Sequence, residues 1–348
     1  MGKKPNLVNA LHAAESGQLR FLGSIQGRCG CRGGRTAQVL QWRAEITTNG
    51  ATFSLSRRPR CCAMPNDPSF IQTPPGDIAG WLTVFEARDI PVFESTVLAI
   101  ADAREVEDVT DAHSLAELLT DDTLMTLKLL RHVGELRRGR QGSDVETVTA
   151  ALVMIGIPPF FRAFADQVSV QTRLQHSPEA LQGLMNVRRR AHRAARFSLG
   201  FAVHRMDHDA AVLHEAALLH DFVEMLLWVH APALALDIAQ RQRHEPQLRS
   251  QQVQRALLNV TLAELEQALM KRWRLPELLV SSTCDEVSPS PQVRNVQLAV
   301  RVSRHSALGW DNPALPDDVD AVAALLNLRS TATWRLLQEL DETEADAG

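Results

Sequence analysis

From residue 76 onward, apolar residues recur at spacings of three and four, the period of amphipathic helices rather than of strands. Asp77 is placed to cap a helix with Ile78, Trp81, Leu82 and Phe85 on one face. Asp89-Ile90-Pro91 then breaks the chain, and Pro91 suits the first turn of a helix running to about residue 104. Leu115, Leu118 and Leu119 form the next apolar face. After a pause at Thr120-Asp121-Asp122 comes a face of Leu124, Leu127 and Leu130. A loop covers 139–142, and Ser143 can cap a helix over 144–155, with Glu146 at the capping-box position. Gly156 ends that helix, and Pro158-Pro159 opens another.

A linker near 175–179 leads into a long helix over about 180–205. The stretch 209–230 is apolar on most sides. Val212, Ala216, Leu219, Val223 and Leu226 share one face, which Leu213, Ala217 and Leu227 widen, so it belongs at the centre of a core. Helices follow near 232–243, 248–258, 261–272, 276–283, 292–308, 317–326 and 330–341, and Thr261-x-x-Glu264 gives a second capping-box signal. Alternation of period 2 is almost absent and no internal repeat is seen, so the expected fold class is all-α.

The first 63 residues break this pattern. They carry ten Lys/Arg against two Asp/Glu, which leaves the remainder at −12 within a total of −4. An acidic body argues against a nucleic-acid-binding core. The first segment is rich in Gly, Arg, Ser and Thr, with one weak strand-like run at 52–56, and reads as disordered and dispensable. Met64 and the proline-rich stretch after it resemble a natural start, so residues 1–75 are expected to form a disordered basic segment and linker. Cys29, Cys31, Cys61 and Cys62 do not have zinc-site spacing, and the single body cysteine, Cys284, suits a reducing compartment. No signal peptide or membrane-length apolar run is evident, so the expected location is cytoplasmic.

The candidate chemistry centres on Leu219-His220-Asp221. Several motifs accompany this pair in order along the chain. Asp89-Ile90-Pro91-Val92-Phe93 comes first. The block from Leu115 to Gly134 has Asp122 at an acidic position and Leu129-Leu130 after it. Val148, Ala151, Leu152, Ile155 and Gly156 form the third motif. His192 precedes Ala217-Leu218-Leu219-His220-Asp221, and Trp273-x-Leu275-Pro276 with Leu279 closes the set. Together they resemble the HDOD family, signalling domains related to HD-type phosphohydrolases. The resemblance implies a two-subdomain helical bundle in residues 76–345, with an HD-like part at 177–345 following a first part at 76–176. It also implies that the Trp273 turn docks one helix of the second subdomain onto the HD-like bundle.

Catalytic HD proteins carry a histidine, the His-Asp pair and a later aspartate, which together bind metal. By resemblance His192 stands for the first histidine, and His220 and Asp221 for the pair. The later aspartate is Val300, the frequent His-His is Cys284-Asp285, the glycine two places after the aspartate is Val223, and the usual lysine is Glu224. Losing an anionic ligand to valine removes charge and a coordinating oxygen. His192, His220 and Asp221 are therefore expected to be vestigial, with no metal, no cofactor and no catalytic residue. On this reading His220 is a core histidine bonded to a neighbour such as Glu224. The alternative is a metal-dependent phosphohydrolase using the same three residues. Arg188, Arg189, Arg190, Arg193 and Arg196 read as a solvated face, and His204, His208 and His214 as surface histidines. The expected role is regulation as a pseudoenzyme, through a protein partner in a signalling pathway or a small ligand, with no membrane and with nucleic acid disfavoured.

Overall fold

In the computed structural model, residues 70–137, 145–245, 247–283 and 289–342 are described. The expectations for residues 1–63, for Met64, for Ser143 and for Cys284-Asp285 lie outside them. Among the described residues the regular elements are helices, as the periodicity required. The β-type pairing is a parallel bridge between Val92 and Ser169.

The first half follows the cap signals closely. Helix α1 (Ile78–Glu86) starts at Asp77, whose side chain accepts the Gly80 N–H at 2.8 Å. Its Trp81 is fully buried and donates its indole N–H to the Leu258 carbonyl at 2.9 Å, which ties this helix to the far end of the sequence. Pro91 is not helical: α2 spans Glu94–Glu105. The Pro91 region is extended because Val92 exchanges backbone hydrogen bonds with Val168 and Val170. Helix α3 (Ala112–Leu119) buries Leu115 and Leu119, while Leu118 is exposed.

Helix α4 (Thr123–Leu136) is capped by Asp122, which accepts the Leu124 and Met125 N–H groups, each at 2.9 Å. The other oxygen of Asp122 accepts the Phe93 N–H at 2.7 Å. One buried carboxyl thus joins the start of α4 to the start of α2. Helix α5 (Val148–Ile155) starts later than expected from Ser143. Thr147 is its N-cap, and the buried Glu215 carboxyl accepts the Val148 N–H. Gly156, at φ +82°, ends it in a conformation that favours glycine, and α6 (Ile157–Phe164) follows with Pro158 in its first turn. A short α7 (Val170–Arg173) closes this half.

The long helix α8 (Pro178–Arg205) leads the second half. The apolar stretch after it departs from expectation: it forms two helices, α9 (Ala210–Leu219) and α10 (Phe222–His230), broken at His220-Asp221. The remaining elements are α11 (Pro232–His244), α12 (Ser250–Leu258), α13 (Leu262–Trp273), α14 (Glu277–Ser282), α15 (Pro291–His305), α16 (Leu315–Leu326) and α17 (Ser330–Glu342). The capping box predicted at α13 is present, with Thr261 and Glu264 reciprocally bonded.

One buried apolar cluster runs from Ile71 through α1–α8 and α9–α14 to Leu279. A second joins Phe197 and Phe201 of α8 to Leu298 and Val302 of α15, Val322 of α16 and Leu337 of α17. A third packs Val300 of α15 against Ala194 of α8 and Leu213 and Ala217 of α9. No single helix among the described residues is long and apolar enough to cross a membrane.

Candidate functional site

The His-Asp pair sits at the joint between α9 and α10, buried beneath α8 and α15. The helical ladder is interrupted here: the His220 N–H reaches back to Ala217 at 3.4 Å, and the Asp221 carbonyl accepts from Glu224 and Met225 to start α10. The break turns both polar side chains toward the two neighbouring helices. No glycine or proline marks it in the sequence.

Asp221 is held by two arginines. From α8, the Arg190 Nε donates to Asp221 Oδ2 at 2.8 Å, and its Nη2 lies 2.7 Å from the same oxygen. From α15, the Arg304 guanidinium donates to Asp221 Oδ1. His220 Nδ1 lies 3.3 Å from that oxygen and 3.5 Å from Arg304. Glu224 does not bond His220. Its carboxylate accepts from Arg190 at 2.6 Å, because Arg190 reaches both acids across one turn of α10.

The electrostatics follow from this geometry. Burial opposes ionisation of Asp221, but the Arg304 and Arg190 charges overcome it and hold the carboxyl well below its ordinary range. Burial alone would ease proton loss from Arg190, and the Asp221 and Glu224 carboxylates more than reverse that. The nearby Glu266 of α13 behaves oppositely. Burial, reinforced by the Asp221 charge, pushes its carboxyl well above the usual range, and its Oε1 is buried with no hydrogen-bond partner.

The residues present do not fit a metal ion. His192 is brought to Asp121, with Nδ1 3.4 Å from its carboxylate. Arg190 and His192 are two positions apart on α8, so about 200° of helix rotation separates them, and it is Arg190 that meets Asp221. Val300 lies buried in the apolar cluster with Ala194 and Leu213. Both Asp221 oxygens are engaged by cations that would repel a divalent ion. Among the described residues no group of three or more His, Cys, Asp or Glu side chains is placed to hold a metal.

In the arginine run Arg189 is exposed, as expected of a solvated face, but Arg188, Arg190 and Arg193 are engaged. Arg188 pairs with Asp121 at 2.8 Å and lies over the Phe93 ring, while Arg193 is buried against Asp341 and Ser306. His204 and His208 are exposed, as expected, whereas His214 is half-buried. Burial, with a smaller contribution from His192, lowers its pKa.

Arg304 and Glu266 escaped the sequence reading. Glu266 carried a signal: it stands on the apolar face of Leu262, Leu265, Leu269 and Trp273, where a charge is out of place. Arg304 has none, because it continues an ordinary basic helix face.

Residues 90–288 match the HDOD domain family. The chain belongs to the HDOD family. Among solved structures it resembles the MmoQ response regulator of Methylococcus capsulatus str. Bath, with 20% identity over 72% of this chain and 98% of that one, at a TM-score of 0.52. It also resembles a virulence factor from Campylobacter jejuni subsp. jejuni, with 18% identity over 72% of this chain and 90% of the other, at a TM-score of 0.51. These likenesses concern the fold. Among curated proteins, none matches this sequence. The motifs that carried the resemblance now have physical roles. In the HDOD domain of this chain Asp122 is a double cap, and the His-Asp pair is one end of an arginine-bridged cluster.

Proposed function

We propose that this chain is a non-catalytic regulatory protein whose HDOD domain acts by binding, within a functional unit of residues 76–345. The observation that carries the proposal is the Asp221 carboxylate clamped between Arg190 and Arg304. In a metal-dependent hydrolase an aspartate at this place would offer its oxygens to the ion; here both are committed to guanidinium groups. The description of the Methylococcus protein as a response regulator is in keeping with a regulatory role. The partner would be a protein in a signalling pathway or a small molecule.

Elemental analysis of protein purified without chelator tests the proposal, together with phosphodiesterase and phosphatase assays supplemented with manganese, iron or nickel. The expected result is no stoichiometric metal and no turnover. One metal per chain, with hydrolysis lost in His220→Ala, would replace this proposal with a metal-dependent phosphohydrolase.

A further inference from the structure

Beside the arginine-clamped aspartate opens a cavity of about 800 Å³, within the usual size range of small-molecule sites. Its lining divides by chemistry. One wall, from α10 and α11, is apolar, with Val223, Leu227, Trp228 and Ile238. The facing side carries Arg294, Arg301 and Arg304 of α15, whose spacings of seven and three place them on one helix face. Asp221 and Glu224 balance Arg190 and Arg304, and Asp318 balances Arg301 at 2.5 Å. Arg294 makes no ion pair among the described residues, so a positive charge is left over at the cavity. Glu266 lines the same space, more than nine-tenths buried, with an oxygen that no protein group satisfies. A buried polar atom without a partner costs about 1–3 kcal/mol, which a ligand polar group reaching the Glu266 carboxyl would offset.

We infer that this cavity is a binding site for a small organic anion with a flat apolar body, its acid group on Arg294 and a second polar group on Glu266. The body lies along Leu227 and Trp228. This inference rests on the binding role proposed above and names the class of ligand. An apolar ligand alone would leave Arg294 and Glu266 unmet, and an inorganic anion alone would leave the apolar wall wet. The Glu266 carboxyl, which burial pushes well above its usual range, accepts from an N–H or O–H donor on the ligand.

The probe is 8-anilinonaphthalene-1-sulfonate, an anion with a flat apolar body, titrated by fluorescence into the full chain. N-phenyl-1-naphthylamine, the same body without the sulfonate, is the neutral control. One probe per chain is expected, with the neutral control at least ~tenfold weaker and Arg294→Ala weakened ~tenfold, each equivalent to about 1.4 kcal/mol. Arg294→Lys should recover part of the affinity. Glu266→Leu should raise the melting temperature yet weaken the probe, which separates binding from folding. Equal affinity for the neutral control, or undiminished binding in Arg294→Ala, would overturn the inference. Absence of probe binding from a metal-free, inactive protein would sink this inference and leave the non-catalytic role standing, whereas hydrolytic turnover would sink the role itself.

Discussion

Gly134 of α4 lies directly against the backbone of Trp273: a Cβ added at Gly134 would sit 2.3 Å from the Trp273 carbonyl oxygen. The glycine at this point thus permits α4 to meet the end of α13. The Trp273 ring completes the joint. It is almost fully buried, with the Arg131 guanidinium 4.8 Å from its centroid and the Phe222 ring 6.0 Å away. The tryptophan turn thus contacts α10 and, in addition, α4.

Gly134→Ala should therefore lower stability by ~1–3 kcal/mol through overpacking against backbone that cannot rotate away. Trp273→Ala should lower it by ~3–5 kcal/mol. Denaturant titration reads both, and a loss under ~1 kcal/mol for Trp273→Ala would show that the indole contributes little to the joint.

Asp221→Asn should cost ~2–4 kcal/mol at neutral pH, because the part-buried Arg190 and the half-exposed Arg304 lose the buried anion they share. The sign of the pH dependence follows from the depressed folded-state pKa. The Asp221 contribution is present above the ordinary carboxylate value of 3.8 and is lost as pH falls below it. The stability gap between wild type and Asp221→Asn should accordingly narrow in acid. A gap that stays constant from pH 7 down to the acid transition would contradict the ion-pair account.

Glu215 should show the opposite pH dependence. Burial pushes its carboxyl up to about 7, although it accepts the Val148 N–H at the start of α5. The folded protein keeps this proton between 4.5 and about 7, where the unfolded chain has released it, so stability falls as pH rises through that window. Glu215→Gln keeps an acceptor for Val148 and removes the titration. The variant should gain on wild type by roughly 3 kcal/mol between pH 5 and 8, since each shifted unit is worth about 1.4 kcal/mol. Parallel stability curves for the two proteins would refute this.

Val300→Asp restores the residue that catalytic relatives have, yet it should not restore metal binding. His192 is occupied with Asp121, and Arg190 and Arg304 already take the Asp221 oxygens. The new carboxylate would be buried beside Ala194, Leu213 and Val296, lowering stability by ~2–4 kcal/mol. A manganese- or nickel-dependent rise in melting temperature for this variant would show that the site is recoverable.

Much of this architecture is written in local chemistry. Asp77, Thr261 with Glu264, and Gly156 with Pro158 fix helix ends because capping and φ preferences act within a few residues. The break at His220-Asp221 has no such marker. Apolar periodicity runs straight through it, and the turn is held by Arg190 and Arg304, which are 31 and 83 positions from Asp221. Pro91 misled for a related reason: the partner that keeps its neighbour Val92 extended is near Ser169. The arginine run of α8 could not declare its direction either. Arg188, Arg190 and Arg193 each find an acid from a different distant segment, and one-dimensional charge clustering is silent about such pairing.

The cluster around Phe197 and Phe201 has a practical consequence for dissection of the protein. The family match ends at residue 288, but both rings are covered by Leu298, Val302, Val322 and Leu337 from beyond that point. A fragment cut at the family boundary would bare two phenylalanines on α8 and strip Arg193 of Asp341, inviting aggregation. A fragment meant to fold by itself should therefore extend through α17, with boundaries drawn from the packed aromatics rather than from the extent of the shared motifs.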